Sequence, residues 1–157
     1  MQHLIKECLC SINSQIGLGH AECVYQKAMS LLLQEKNINH LCEFNVPIPF
    51  QVNNQVFNIG NERIDFLIYD CDQNVHIVEL KAITASILTK NMLPTQLLPS
   101  AYTQLLKYIQ LKPVENIIKG YIVNFRQSAS FGNPTSIPIE MIEYDCSSKD
   151  WKTIDIE

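Results

Sequence analysis

Arg63-Ile64-Asp65-Phe66-Leu67-Ile68, a turn at Asp70-Cys71-Asp72-Gln73-Asn74, and then Val75-His76-Ile77-Val78-Glu79-Leu80-Lys81 make up the stretch whose reading decides the fold. Both apolar runs have strand length, and the Asp/Asn-rich segment between them reads as a hairpin turn. Side chains alternate across a strand, so Val75, Ile77, Glu79, Lys81 and Ile83 share one face while His76, Val78, Leu80 and Ala82 take the other. The same rule groups Asp65 with Arg63 and Leu67, and a short turn brings Asp65 opposite the Glu79 region. Two carboxylates and an ammonium then converge. Ile64, Phe66, Ile68, Ile77, Val78, Leu80 and Ile83 make both strands apolar on both faces, the pattern of a sheet covered on both sides. Charge left unpaired there costs free energy, so the three charged groups call for a chemical role.

Two acids about one metal-width apart hold a hard, oxygen-loving cation such as Mg²⁺ without filling its coordination sphere. Such an ion lowers the pKa of water and neutralises charge on a phosphoryl transition state. A neighbouring lysine positions the nucleophile or adds to that stabilisation. The plainer reading makes Asp65 and Glu79 solvated strand residues, with Lys81 as a cross-strand partner. The apolar surroundings weigh against it.

Asp65 followed by Glu79-x-Lys81 on the next strand resembles the signature of the PD-(D/E)XK nuclease superfamily. Upstream, Gly19-His20-Ala21-Glu22-Cys23-Val24-Tyr25 resembles the Gly-x-x-Glu-x-x-Tyr motif of the GxxExxY family within it. Downstream, Gln104-Leu105-Leu106-Lys107-Tyr108 resembles the Gln-x-x-x-Tyr element of RecB-like nucleases. Each motif alone is a short pattern of common residues; three in order over residues 17 to 125 are more specific. The resemblance implies a restriction-endonuclease-like α/β core and a Mg²⁺-dependent nuclease, with Mn²⁺ as a substitute ion. It implies DNA as substrate, with RNA as the alternative. Asp65 and Glu79 would hold the metal with the Leu80 carbonyl as a further ligand, and Lys81 would help activate the attacking water. Glu22 would be an auxiliary acid. Gln104 would orient the water or Lys81, and Tyr108 would touch the substrate backbone. Tyr25, Arg63 and Arg126 are the candidate substrate contacts. Against these stand ordinary roles: Glu22 as a first-turn acid favoured by the helix dipole, Tyr108 as a core-edge aromatic, Gln104 as an exposed polar residue, Arg63 as an ion-pair partner and Arg126 as a strand-end cap.

A chain of 157 residues with 46% apolar and 18% charged residues suits one globular domain, with a core over about 17–125 and a C-terminal strand and tail over 126–157. No run approaches the ~20 apolar residues of a membrane span, which leads us to expect a soluble intracellular protein of the cytoplasm, nucleoid or nucleus. Cys8, Cys10, Cys23, Cys42, Cys71 and Cys146 lack zinc or iron-sulfur spacing, so reduced thiols are expected. Twelve basic against 16 acidic residues give a net charge of −4. Phosphate binding draws on clustered Lys and Arg, and no basic run supplies them. A homodimer or a protein partner completing the groove is therefore one expectation.

Along the chain, Leu4, Ile5, Leu9 and Ile12 predict a first helix over residues 2 to 15, broken by Gly17-Leu18-Gly19. A second helix is predicted from His20 to Lys36 with Ala21, Val24, Ala28, Leu31 and Leu32 as its apolar face and Glu22, Tyr25 and Met29 as the adjacent stripe. Leu41 to Val52 reads as an extended segment whose Pro47 and Pro49 place it at a sheet edge. Asn53-Asn54 signals a hairpin. After Lys81 the interval to Gln104 is longer than the family pattern, and no histidine precedes Gln104; a lid, a substrate-gripping loop, a dimer contact or a plain surface loop would each account for it. A third helix over Ser100 to Leu111, a central strand at Ile117 to Phe125, a loop at Gln127 to Pro134, a late edge strand at Ile137 to Tyr144 and a polar tail complete the reading.

Overall fold

The computed structural model describes residues 1–88, 100–127 and 139–156. In chain order the elements are α1 (Gln2–Ile16), α2 (Glu22–Glu35), β1 (His40–Val52), β2 (Gln55–Tyr69), β3 (Val75–Lys81), α3 (Ser100–Leu111), β4 (Ile117–Phe125), β5 (Ile139–Asp145) and β6 (Asp150–Ile154). The six strands form one sheet in the order β1-β2-β3-β4-β5-β6. Every neighbouring pair is antiparallel except β3–β4. A parallel pair needs a long crossover, and α3 lies within it. The architecture is the mixed α/β sheet flanked by helices that a restriction-endonuclease-like fold requires.

Helices α1 and α2 cover one face: Ile5, Leu9 and Ile12 join Tyr25, Met29 and Leu33 over Phe66, Val78, Leu80, Tyr121 and Val123. Helix α3 covers the other, with Ala101, Tyr102, Leu105 and Tyr108 over Leu67, Ile77, Ile122 and Ile142. Gly120 lets α3 approach β4 closely, because a Cβ there would lie 2.7 Å from Leu105 Cδ2.

Three expectations need correction. The buried stripe of α2 is Tyr25-Met29-Leu33, not the face containing Val24 and Leu31; Leu31 is 58% exposed. Both stripes are apolar at helical spacing, and the sheet selects the one that brings Tyr25 onto Phe125, rings stacked 3.9 Å apart. The late strand, whose Ile137 and Pro138 lie outside the described residues, is interior rather than an edge. The polar tail supplies the edge instead: β6 pairs with β5 through Tyr144↔Trp151 and Ile142↔Thr153.

The other edge is β1, as its prolines predict, with a register shift between Pro47 and Pro49. Asn53 and Asn54, at φ 45° and 65°, close the β1–β2 hairpin, the left-handed pair that a tight two-residue turn demands. In the β2–β3 turn, Asp70 Oδ1 accepts the Asp72 and Asn74 N–H groups at 2.9 Å each.

Candidate active site

Pairing of β2 with β3 runs from Tyr69↔Val75 to Phe66↔Val78 and stops, while β3 continues beside β4 as far as Lys81↔Asn124. The sheet therefore splits at Asp65 and Glu79. In the split, side chains replace the ladder: Leu80 N–H donates to Asp65 Oδ2 at 2.8 Å and Asp65 N–H donates to Glu79 Oε1 at 3.1 Å. Each carboxylate caps the backbone of the opposite strand.

Strict alternation grouped Asp65 with Leu67 and Arg63, and here the strand departs from it. Ile64 and Leu67 both pack on the α3 side, whereas Phe66 and Ile68 pack under α1 and α2. The faces exchange at Asp65, beside Glu43 of β1, whose φ of 49° breaks the edge strand at the same level. Asp65 is turned sideways into the split, where Gln26 Nε2 of α2 donates to its Oδ1 at 2.7 Å.

Lys81 follows Glu79 at i+2 on the same face, its Nζ 3.8 Å from Glu79 Oε2. Asp65 is 6% and Glu79 1% exposed. Burial pushes the Asp65 carboxyl up to about 6; the Leu80 N–H, Lys81 and Arg63 oppose this and the charge of Glu22 adds to it. Burial, followed by the charge of Asp65, pushes Glu79 up to about 8. Glu22, in the first turn of α2, raises both. Three acids, Glu22, Asp65 and Glu79, outnumber the two nearby cations, Lys81 and Arg63, a balance that a bound cation would relieve. Among the described residues no three His, Cys, Asp or Glu side chains form a metal-holding group. Two carboxyls side by side are the donors the split offers, and an ion held there would take the rest of its ligands from water and main chain.

The remaining candidates fall into different places. Tyr108 is buried; its hydroxyl donates to the Arg63 carbonyl at 2.9 Å and accepts from Gln104 Nε2 at 2.7 Å. Burial and the nearby Glu79 hold its phenol well above the ordinary tyrosine range. Tyr108 thus grips the protein's own backbone two residues before Asp65, and Gln104 is bonded to Tyr108. Tyr25 is likewise held by main chain. It lies in the core, donating to the Gly17 carbonyl at 3.1 Å and accepting from His20 N–H at 3.2 Å. Together with Gly19 at φ 95°, it ties the turn that fixes where α2, and so Glu22, begins.

Arg63 is exposed, 3.4 Å from Glu43. Arg126 is drawn inward, its guanidinium reaching the Thr84 carbonyl at 3.4 Å and Glu140 at 3.8 Å. Leu80 is buried between Asp65 and Val123, with its N–H spent on Asp65. Two features escaped the sequence reading. Gln26 stands one turn after Glu22, a spacing that places it on the same helix face. Asn124 and Glu140 hold the segment after Lys81: Asn124 Oδ1 accepts from Ile83 N–H at 3.0 Å and Glu140 Oε2 accepts from Ile87 N–H at 2.9 Å. Ser86 also donates to Glu140. The rest of the interval, 89–99, lies outside the described residues.

The split sheet thus brings paired carboxylates and a lysine together. The model of the PD-(D/E)XK nuclease superfamily matches residues 1–133, and the chain belongs to that superfamily. Its members are generally nucleases and usually use divalent metals. No curated protein matches the sequence significantly. A solved structure titled "Crystal structure of SSO0001" is similar at 19% identity with a TM-score of 0.37, over 80% of this chain and 60% of that one; this chain therefore spans less than two thirds of that protein.

Proposed function

We propose that the split at Asp65 and Glu79 is the active site of a Mg²⁺-dependent nuclease, served also by Mn²⁺, that hydrolyses phosphodiester bonds of DNA. The observation that carries this reading is geometric: Asp65 and Glu79 are both buried and joined through the Asp65 N–H at 3.1 Å, with Lys81 Nζ 3.8 Å from Glu79. Asp65 and Glu79 would hold the ion, with the Leu80 carbonyl as a further ligand. The chemistry such an ion supplies is activation of water and neutralisation of charge developing on the phosphoryl group. Lys81 stabilises that developing charge from the same strand face. Glu22 acts as an auxiliary acid, and Arg63, exposed beside the split, meets a substrate phosphate. Gln26, Gln104 and Tyr108 are positioning residues: Gln26 orients the Asp65 carboxylate, and Gln104 holds Tyr108, which holds the strand just ahead of Asp65.

DNA rather than RNA is the substrate favoured by the RecB-like Gln104-x-x-x-Tyr108 element. Gly19, Glu22 and Tyr25 support placement in the GxxExxY family. The unpaired thiols suit a reducing intracellular compartment, and no described helix is long and apolar enough to cross a membrane. A catalytically weak binding module is the second reading. It is favoured by Asp65, whose two oxygens are already engaged by Gln26 and Leu80.

Cleavage of plasmid, single-stranded DNA and RNA in Mg²⁺ or Mn²⁺, with calorimetric titration of the same ions, tests the proposal. Wild type is expected to bind metal and cut DNA. Asp65→Asn should lose metal binding, and Asp65→Asn and Lys81→Ala should each lose about 10²-fold or more in rate while keeping their circular dichroism. Nucleic-acid binding without cleavage in either ion favours the second reading. Absence of metal binding, even with DNA present, ends the enzyme reading.

A further inference from the structure

A nuclease needs cations for its substrate's phosphates, and a net charge of −4 makes their whereabouts informative. Six of those among the described residues are already committed. Lys36 pairs with Glu7, Arg63 with Glu43, Lys81 with Glu79, Lys107 with Glu62, Lys119 with Glu143 and Arg126 with Glu140. Among the described residues, Lys149 and Lys152 are two of the few cations without an acidic partner, and both line the same cleft.

That cleft has a volume of about 370 Å³ and is lined by Tyr102, Ile142, Lys149, Asp150, Trp151, Lys152 and Thr153. Its size is that of a small-ligand pocket. Trp151, the only tryptophan of the chain, is half-buried on edge strand β6. Its ring is braced by Tyr102 at 4.4 Å and by Tyr144 at 4.7 Å, both tilted. A tryptophan that merely closed the core needs no free lysines around it.

The sheet register fixes where the cleft lies. Glu79, Ile122, Ile142 and Thr153 stand in one row across β3, β4, β5 and β6. Ile142, Trp151 and Thr153 line the cleft on the α3 face in line with Glu79, and Lys152, opposite Glu143 in the register, comes to it from the other face of edge strand β6. Three strand spacings, about 14 Å, separate Glu79 from Thr153, within reach of a bound strand of a few nucleotides.

We propose that this cleft is a nucleic-acid strand subsite, where a base stacks on Trp151 while Lys149 and Lys152 meet its phosphates. Aromatic stacking with flanking cations is the general means of holding single strands irrespective of sequence. The proposal rests on the nuclease reading for its substrate, and its test is separate from cleavage. Two lysines and one aspartate leave a net +1, so stacking carries most of the affinity and salt dependence is shallow, with a log–log slope of about −0.7 to −1.4.

The test is fluorescence of Trp151 in the full chain with EDTA present, titrated with a short single-stranded oligonucleotide, a mononucleotide and inorganic phosphate. Saturable quenching by the oligonucleotide is expected, weakened about tenfold or more in the Lys149→Gln/Lys152→Gln protein and absent with phosphate alone. No quenching up to about 1 mM oligonucleotide, or equal quenching by inorganic phosphate, overturns the subsite. Cleavage of DNA without quenching also sinks the cleft and leaves the nuclease standing. Quenching without cleavage in any metal keeps the cleft and removes the nuclease.

Discussion

Tyr108 shows most clearly how one side chain can hold the backbone beside the candidate site. Its hydroxyl links Gln104 to the Arg63 carbonyl, so the strand is held two residues before Asp65. Tyr108→Phe keeps the ring but leaves the part-buried Arg63 carbonyl without this donor, which should cost about 1 kcal/mol by chemical denaturation. Under the nuclease reading, kcat should fall while KM stays near wild type, because orientation of Asp65 is lost and substrate contact is not. A raised KM with unchanged kcat would return Tyr108 to the substrate surface. At this scale the sequence was informative where chemistry is carried by parity: Glu79 and Lys81 share a face because they are two apart. It was uninformative about Tyr25 and Tyr108, because a motif tyrosine reads alike whether its hydroxyl meets backbone or ligand. Asp65 escaped the parity rule because the exchange of faces follows from the distorted neighbour at Glu43, which no local pattern announces.

Among the elements, α3 is positioned through a single close approach. Leu105 fills the space that a side chain at position 120 would occupy, its Cδ1 and Cδ2 within 2.8 Å and 2.7 Å of an added Cβ. Leu105 is fully buried and cannot swing clear. Gly120→Ala should therefore destabilise by about 1–3 kcal/mol through overpacking, and Gly120→Ala/Leu105→Ala should recover part of that loss, as thermal melts of the two proteins would reveal. Additive losses in the double variant would exclude this contact as the cause. Helices α1 and α3, the β1–β2 turn and the proline-marked edge were all legible, because periodicity and turn chemistry act locally. The face of α2 was not, since two apolar stripes compete and only the stacking of Tyr25 on Phe125 decides between them. Strand β6 was hidden for a similar reason: Asp150, Lys152 and Thr153 look like a solvated tail until β5 supplies a ladder for them.

Over the whole molecule, the buried acids make stability depend on pH in an unusual direction. Asp65 and Glu79 have folded-state values raised to about 6 and about 8, so the folded chain binds these protons more tightly than the unfolded one. Their contribution is complete below the ordinary carboxylate range and is lost as pH rises through those two values. His76 acts oppositely: burial lowers its pKa despite Asp70 at 3.1 Å, so its contribution is lost as pH falls through that depressed value. Metal-free protein should therefore show a melting temperature that declines on the alkaline side, between about pH 5 and pH 8. Mn²⁺ should restore it at the upper end in wild type but not in Asp65→Asn. A flat alkaline limb in scanning calorimetry would rule out the buried-charge account.

The single parallel pairing has a kinetic consequence. Strands β1 to β3 and β4 to β6 are two meanders of neighbours adjacent in sequence, and only the β3–β4 seam joins residues far apart along the chain. Meanders close through short loops, whereas the seam must first pay the loop-closure entropy of the whole crossover. The seam is accordingly expected to zip last. Glu79 and Lys81 lie on the strand that forms it, and Asn124, their neighbour across it, anchors the chain just beyond. A nascent or half-folded copy would have its meanders before Asp65, Glu79 and Lys81 were fixed together, so under the nuclease reading it would gain the ability to cut only on completing its fold.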